Sequence, residues 1–254
     1  MTTRRVLAIA ALTAALLACG TEPPARPQPS DLGCGSAMSA IEDIHSNLAF
    51  PPQFSEPDAE KRGGEFDVNR MFAGLPHLKM RDGFTLDYVY HQDGMGGRPV
   101  LYARPVERPP YRNESEYDAA PKQPDYLSFV SPQQSAEGYL ELAILAMTAG
   151  QFYLDWHANY NDARVLCDAD DIEDVIASTD FGRPMTDAQI QAARAIADPQ
   201  PTVVLTDESA TVSMLVFTKW GGFQRRTSTI NRADHSIVDV QNVPLVEYDC
   251  GIMF

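Results

Sequence analysis

Residues 202–250, TVVLTDESATVSMLVFTKWGGFQRRTSTINRADHSIVDVQNVPLVEYDC, read as strand after strand. Threonine, valine, isoleucine and phenylalanine recur in short runs cut by polar clusters, as expected for segments that lie on a pleated, half-buried surface. The runs predict strands at 202–206, 210–219, 223–231, 236–242 and 245–250. Gly221-Gly222 predicts a two-residue hairpin turn, because both central positions of that turn need a positive φ. Strands joined by short turns form an antiparallel meander, and the apolar end at Cys250–Phe254 is expected to dock against it.

Upstream of the meander the apolar period changes from two to three and four, which marks helix. Residues 135–149 carry Leu140, Ile144, Leu145 and Met147 and are apolar nearly all round, so they predict a core helix stopped by Gly150. A further helix starts at Asp168 or Asp170 and carries Ile172, Val175 and Ile176. Thr186-Asp-Ala-Gln189 is a capping box that opens another at Ala188–Ala197, ended by Pro199 and Pro201. Helices grouped mid-chain and a terminal meander give an α+β fold with a mainly antiparallel sheet.

The earlier half adds a helix at 37–48, with Met38, Ile41, Ile44 and Leu48 as its stripe, and a short helix capped by Asp67. Phe84–His91 alternates as a strand and returns as Arg98–Arg104 after the Gly94, Gly96, Gly97 loop. A strand follows that loop, so its glycines are turn residues rather than a phosphate cradle. Residues 105–124 form a long irregular loop carrying Tyr111 and Tyr117 as exposed side chains. Gln151–His157 reads as a strand, with Arg164–Cys167 short and apolar enough to pair back on it.

The N-terminus has Arg4 and Arg5 followed by an apolar run from Val6 to Leu17, too short for a membrane span of about 20 residues. Leu16-Leu17-Ala18-Cys19 then resembles the lipobox of bacterial lipoproteins. That resemblance covers the leader alone and names no fold. It implies cleavage before Cys19, lipid on that cysteine, and a membrane partner through the acyl chains, palmitate among them, in the cell envelope. Gly20, where inner-membrane retention usually takes aspartate, implies the outer membrane. The divisions expected are a signal peptide at 1–18, a lipidated tether at 19–33 rich in proline, and one globular domain at 34–254.

The chain carries 35 acidic and 20 basic residues, a net charge of −15. Loss of Arg4 and Arg5 with the leader makes it −17, which disfavours nucleic acid as a partner. Between Glu114 and Asp198 there are 16 acidic and 4 basic residues, read as solvated helix faces and acidic helix starts. Of the four cysteines, lipidation leaves Cys34, Cys167 and Cys250. Three residues in an oxidising compartment make one disulfide and one unpaired thiol, with all three pairings open.

No Gly-x-Ser-x-Gly, His-Glu-x-x-His, Cys-x-x-Cys or P-loop occurs. Asp168–Asp174 lacks the glycine and glutamate positions of an EF-hand loop, so it reads as a helix start. On a strand at 151–157, Asp155 and His157 share a face. With His91, Asp93 or Asp162 near in space they could hold a divalent metal. Nine of the ten tyrosines lie between Tyr88 and Tyr160, and tyrosine suits protein or sugar contact. The expected function is a non-enzymatic binding or scaffold protein of the envelope, with no cofactor, meeting an envelope protein or glycan through Tyr111 and Tyr117. The alternative is a metal-assisted hydrolase built on Asp155 and His157.

Overall fold

In the computed structural model, residues 32–157, 163–178 and 182–252 are described. The first helix, α1, spans Cys34–Ser46 and buries Cys34, Ala37, Met38 and Ile41. It starts earlier than the apolar stripe suggested because Gly33, in the left-handed region at φ 74°, turns the chain into it. A 3₁₀ turn at Val68–Ala73 is capped by Asp67, which accepts from the Asn69 backbone. Strands β1 (Leu78–Met80), β2 (Phe84–Gln92) and β3 (Gly96–Pro105) follow. Helix α2 (Glu114–Asp118) lies inside the expected irregular loop, capped by Asn113.

Next come β4 (Val130–Pro132), α3 (Ala136–Thr148), β5 (Asp155–Trp156) and β6 (Ala163–Leu166). Helices α4 (Ala169–Ser178) and α5 (Asp187–Arg194) lead to β7 (Thr202–Leu205), β8 (Ser209–Thr218), β9 (Gly222–Asn231) and β10 (Ile237–Val246). Every strand pair among the described residues is antiparallel. The fold is α+β: a five-stranded sheet β10-β9-β8-β6 with β7 also on β8, a three-stranded sheet β2-β3-β5, and the pair β1-β4.

The five-stranded sheet is covered on both faces. Ala210, Val212, Met214 and Val216 of β8 point into one cluster with α1 and α3, while Leu215 and Phe217 point into another with α4 and α5. This is the period-two alternation of a strand used on both sides. Helix α3 is the centre of the first cluster: Tyr139, Leu140, Leu142, Ile144 and Leu145 are all 0% exposed. At roughly 1.5–3 kcal/mol for each buried aliphatic side chain, that helix is the largest local source of burial. The small sheet adds Leu86, Tyr88 and Tyr90 to the same cluster. A disulfide joins Cys34 to Cys167, leaving Cys250 unpaired and buried. Among the described residues no helix is long and apolar enough to cross a membrane.

Four local expectations need correction. Only Asp155–Trp156 of the 151–157 run is strand, and Tyr153 and Trp156 have positive φ, which breaks the alternation. The cause is ring packing: Phe152 is buried, and Tyr153 is held by Tyr90 Oη donating to its carbonyl at 2.6 Å. Residues 163–166 pair with β8 instead of with that run. Residues 237–246 are one strand, with register shifts at Ile237/Asp239 and Pro244/Val246, where two strands were expected. Finally, Thr218 pairs with Gly222, so the hairpin loop is Lys219–Gly221 and only Gly222 has positive φ. The end of the chain is described to Ile252, which packs on the second cluster; Met253 and Phe254 lie outside the described residues.

Candidate functional site

Four of the candidate metal residues, His91, Asp93, Asp155 and His157, lie at the tip of the small sheet, and each is occupied with a neighbour. His91 Nδ1 lies 2.7 Å from Glu114 Oε2, so its ring is committed to the first turn of α2. Its Nε2 is 3.9 Å from Asp93 Oδ2. Asp93 turns the hairpin by accepting from the Met95 and Gly96 backbone at 2.8 and 3.0 Å, and those bonds hold its carboxyl below the usual range. Asp155 accepts from Gln92 Nε2 at 3.0 Å, and the His157 ring rests 4.4 Å from Trp156. Asp162 lies outside the described residues, as does Cys19. Among the described residues no three His, Cys, Asp or Glu side chains are grouped as a metal would require.

Tyr111 and Tyr117 are half-buried, which corrects the expectation of exposed loop side chains. Both pack on Tyr102 of β3, with ring centroids 5.1 and 5.2 Å away, and the Tyr111 backbone N–H donates to Tyr102 Oη at 2.9 Å. The proline-rich segment is therefore folded down over the outer face of the β2–β3 hairpin. Tyr117 is spent in that packing. Tyr111 also lines the rim of a cleft.

That cleft, of 380 Å³, runs along the free edge of β2, between the loop at 61–69 and the segment at 110–112. Its size is within the range of small-ligand pockets. Asn69 closes the strand edge, because its amide accepts from Leu86 N at 3.0 Å and donates to Leu86 O at 2.9 Å, as a neighbouring strand would. Asp87 organises the charges. It accepts from Lys61 Nζ at 2.5 Å, Arg104 Nε at 2.8 Å and its neighbour Tyr88 N at 2.8 Å. The three charged side chains are 12–20% exposed, so the network is screened less than a surface pair.

Tyr88 forms the floor. The residue is 2% exposed, and its hydroxyl has no hydrogen-bond partner. Lys61 Nζ lies 4.7 Å from the centre of its ring. Burial raises the Tyr88 hydroxyl pKa, and the nearby Tyr153, Glu65, Asp87 and Asp67 raise it further, so the group stays protonated. Glu65, Asp87 and Asp67 all line the cleft. A protonated donor enclosed beside them without an acceptor is the one unsatisfied group of the site.

Comparison with protein-family models, with curated proteins and with solved structures gives no match. The geometry therefore carries the functional reading by itself. Sequence reasoning reached Tyr111 and missed Lys61, Asp87, Tyr88 and Arg104. The only signal for them was Asp87, the one acidic residue in the strand Phe84–Gln92.

Proposed function

We propose that this chain is a bacterial envelope lipoprotein, anchored through lipid on Cys19, that works by binding and seats its ligand in the cleft between Lys61, Tyr88 and Arg104 beneath Tyr111. The observation that carries the binding reading is the 380 Å³ cleft at a strand edge, walled by the part-buried Lys61, Asp87 and Arg104. The Tyr88 hydroxyl beneath it is enclosed away from the cleft space, and leaving such a group unmet costs a folded protein about 1–3 kcal/mol. Buried polar groups are otherwise almost always satisfied. The anchor rests on the Leu16–Cys19 motif, and the position of Gly20 favours the outer membrane. Leu32 is already buried in the core, so if the 12 residues from Gly20 to Asp31 are extended at about 3.1 Å each, they hold the fold up to roughly 37 Å from the bilayer.

The test is Tyr88→Phe. Removing an unmet hydroxyl is expected to raise stability by about 1 kcal/mol, read from the urea midpoint. Tyr111→Ala, at the rim of the cleft, should abolish the rise in melting temperature that a small-molecule extract of the envelope gives the wild type. A stability loss would show that the hydroxyl has a partner in the free protein, and an extract that shifts both proteins equally would remove the cleft from the account. Cys19→Ser tests the anchor: the variant should stay uncleaved or leave the membrane, and recovery of a normally processed, membrane-bound form would end that reading.

A further inference from the structure

The outer edge of the five-stranded sheet is left open. Among the described residues no strand lies beyond β10, and its residues from Val238 to Leu245 are all exposed, so both of its faces meet water. Exposed edge strands are templates for pairing with another chain, and proteins usually blunt them with charge, proline or bulges. Here the two register shifts lie at the ends of β10, and the stretch from Asp239 to Pro244 pairs with β9 without interruption. Asp239 is the only charge in that strand. Val238, Val240, Val243 and Leu245, all on β10, are among the large apolar side chains that the fold leaves exposed.

The backbone groups on this edge follow from the alternation of β9. Asn231 N donates to Ser236 O, on the approach to β10, and Arg232 N donates to Glu208 O, on the approach to β8. Odd-numbered residues of β9 therefore bond to β10 and even-numbered ones to β8. Asp239, Gln241 and Val243 pair with Thr229, Thr227 and Arg225, so their backbone groups turn inward. Those of Val240, Asn242 and Pro244 turn to the open edge, where Pro244 offers a carbonyl and no N–H. A second copy, antiparallel about a two-fold axis at Gln241, sets Val240 against Asn242 of the partner subunit and Asn242 against Val240 of the partner subunit. Every N–H and C=O of those two residues is then met. An axis at Asn242 would put Val240 opposite Pro244 of the partner subunit and leave the Val240 carbonyl without a donor. Charge favours the pairing. Strands β9 and β10 carry Arg225, Arg226 and Asp239, a local +1 in a chain of net −15, so the strands brought together do not repel. Asp239 lies on the same face as Arg225, and in the pair only Val243 of the partner subunit stands between it and Arg225 of the partner subunit. We infer that two copies of this chain pair through β10, antiparallel and centred on Gln241, into one continuous sheet. The cleft lies on the three-stranded sheet and takes no part in it.

The experiment is disulfide crosslinking of the full chain under mild oxidation, with single cysteines placed along β10. Gln241 opposite its own copy is a pair without hydrogen bonds, its Cα atoms about 4.5 Å apart, within disulfide reach. Val240 and Asn242 stand diagonally from their own copies at about 7–8 Å, beyond that reach. Gln241→Cys should therefore give a covalent dimer, and Val240→Cys and Asn242→Cys should not. Wild type, with Cys34 joined to Cys167 and Cys250 buried, supplies the background. Adding Val240→Pro to Gln241→Cys removes an N–H from the open edge and none from the β9 ladder. It should abolish the dimer and leave the melting temperature near that of Gln241→Cys alone. Overturning results are no dimer with Gln241→Cys, equal crosslinking at all three positions, or crosslinking strongest at 240 or 242. A dimer that survives Val240→Pro, or a melting temperature well below that of Gln241→Cys, overturns the pairing as well, since the Val240 N–H would then not serve the open edge.

Discussion

His45 shows two effects in opposition on one side chain. It stands in the last turn of α1, where the helix dipole favours a cation by about 0.3–1 kcal/mol. Burial against Met38, Ile41 and Leu154 acts the other way and wins, bringing its pKa down to about 4. Glu42 and Arg164 line the same pocket, and the His45 Nε2 atom is enclosed without a partner. The folded pKa lies below the unfolded 6.5, so between these values the unfolded chain binds the extra proton. The contribution of His45 is therefore complete above about pH 6.5 and is lost as pH falls towards 4. By linkage it is at most about 3 kcal/mol, and less because part of the ring still meets water. We expect His45→Leu to flatten the fall in urea midpoint between pH 7 and pH 4.5 relative to wild type; an unchanged slope would place the acid sensitivity elsewhere. Tyr88 is the complementary case, a group whose removal should stabilise the free protein.

At the scale of elements, the turn into β9 makes a demand that a two-residue hairpin does not. Gly222 has φ 72°, and a Cβ there would stand 2.1 Å from the Val246 carbonyl oxygen. Gly222→Ala should therefore cost about 2 kcal/mol or more, from the left-handed backbone and the displaced end of β10 together; a melting curve like that of wild type would show that the β9–β10 pairing ends before Val246. The glycine pair was legible as a turn, but its type depends on where Val246 and Tyr248 pass. Elements with a local cause were equally legible: the mostly apolar α3, the Thr186–Gln189 capping box and the Phe84–Arg104 hairpin each carry their own signal. Gln151–His157 misled because its alternation is produced by rings that pack with Phe54, Phe66 and Tyr90, far away in sequence. The cleft was hidden for the same reason. Its pairs span 17 residues for Arg104–Asp87 and 26 for Lys61–Asp87, and no local period records them.

Across the whole molecule, the central sheet has to hold two buried clusters that lie on opposite faces and share no helix. Helix α1 belongs to one of them and offers only Cys34, Ala37, Met38 and Ile41 to it as buried side chains. Cys167 stands where β6 ends and α4 begins, so the disulfide to Cys34 fastens that helix to the junction between sheet and second layer. The bond spans 133 residues of sequence, most of the described chain, and so restricts the unfolded state strongly. Removing it as Cys34→Ala with Cys167→Ala is expected to cost about 2–5 kcal/mol, or about 5–15 °C of melting temperature for a chain of this size. Both alanines are apolar and small, so neither leaves an unmet polar group to confuse the result. The unpaired Cys250 is 1% exposed within the second cluster. It should resist alkylation in the native protein and react once the chain is unfolded in urea, with peptide mapping finding the Cys34–Cys167 link intact. A map linking Cys250 to Cys34 or Cys167 would mean that the sheet and its two layers are fastened differently, and native labelling of Cys250 would mean that the second cluster opens around it.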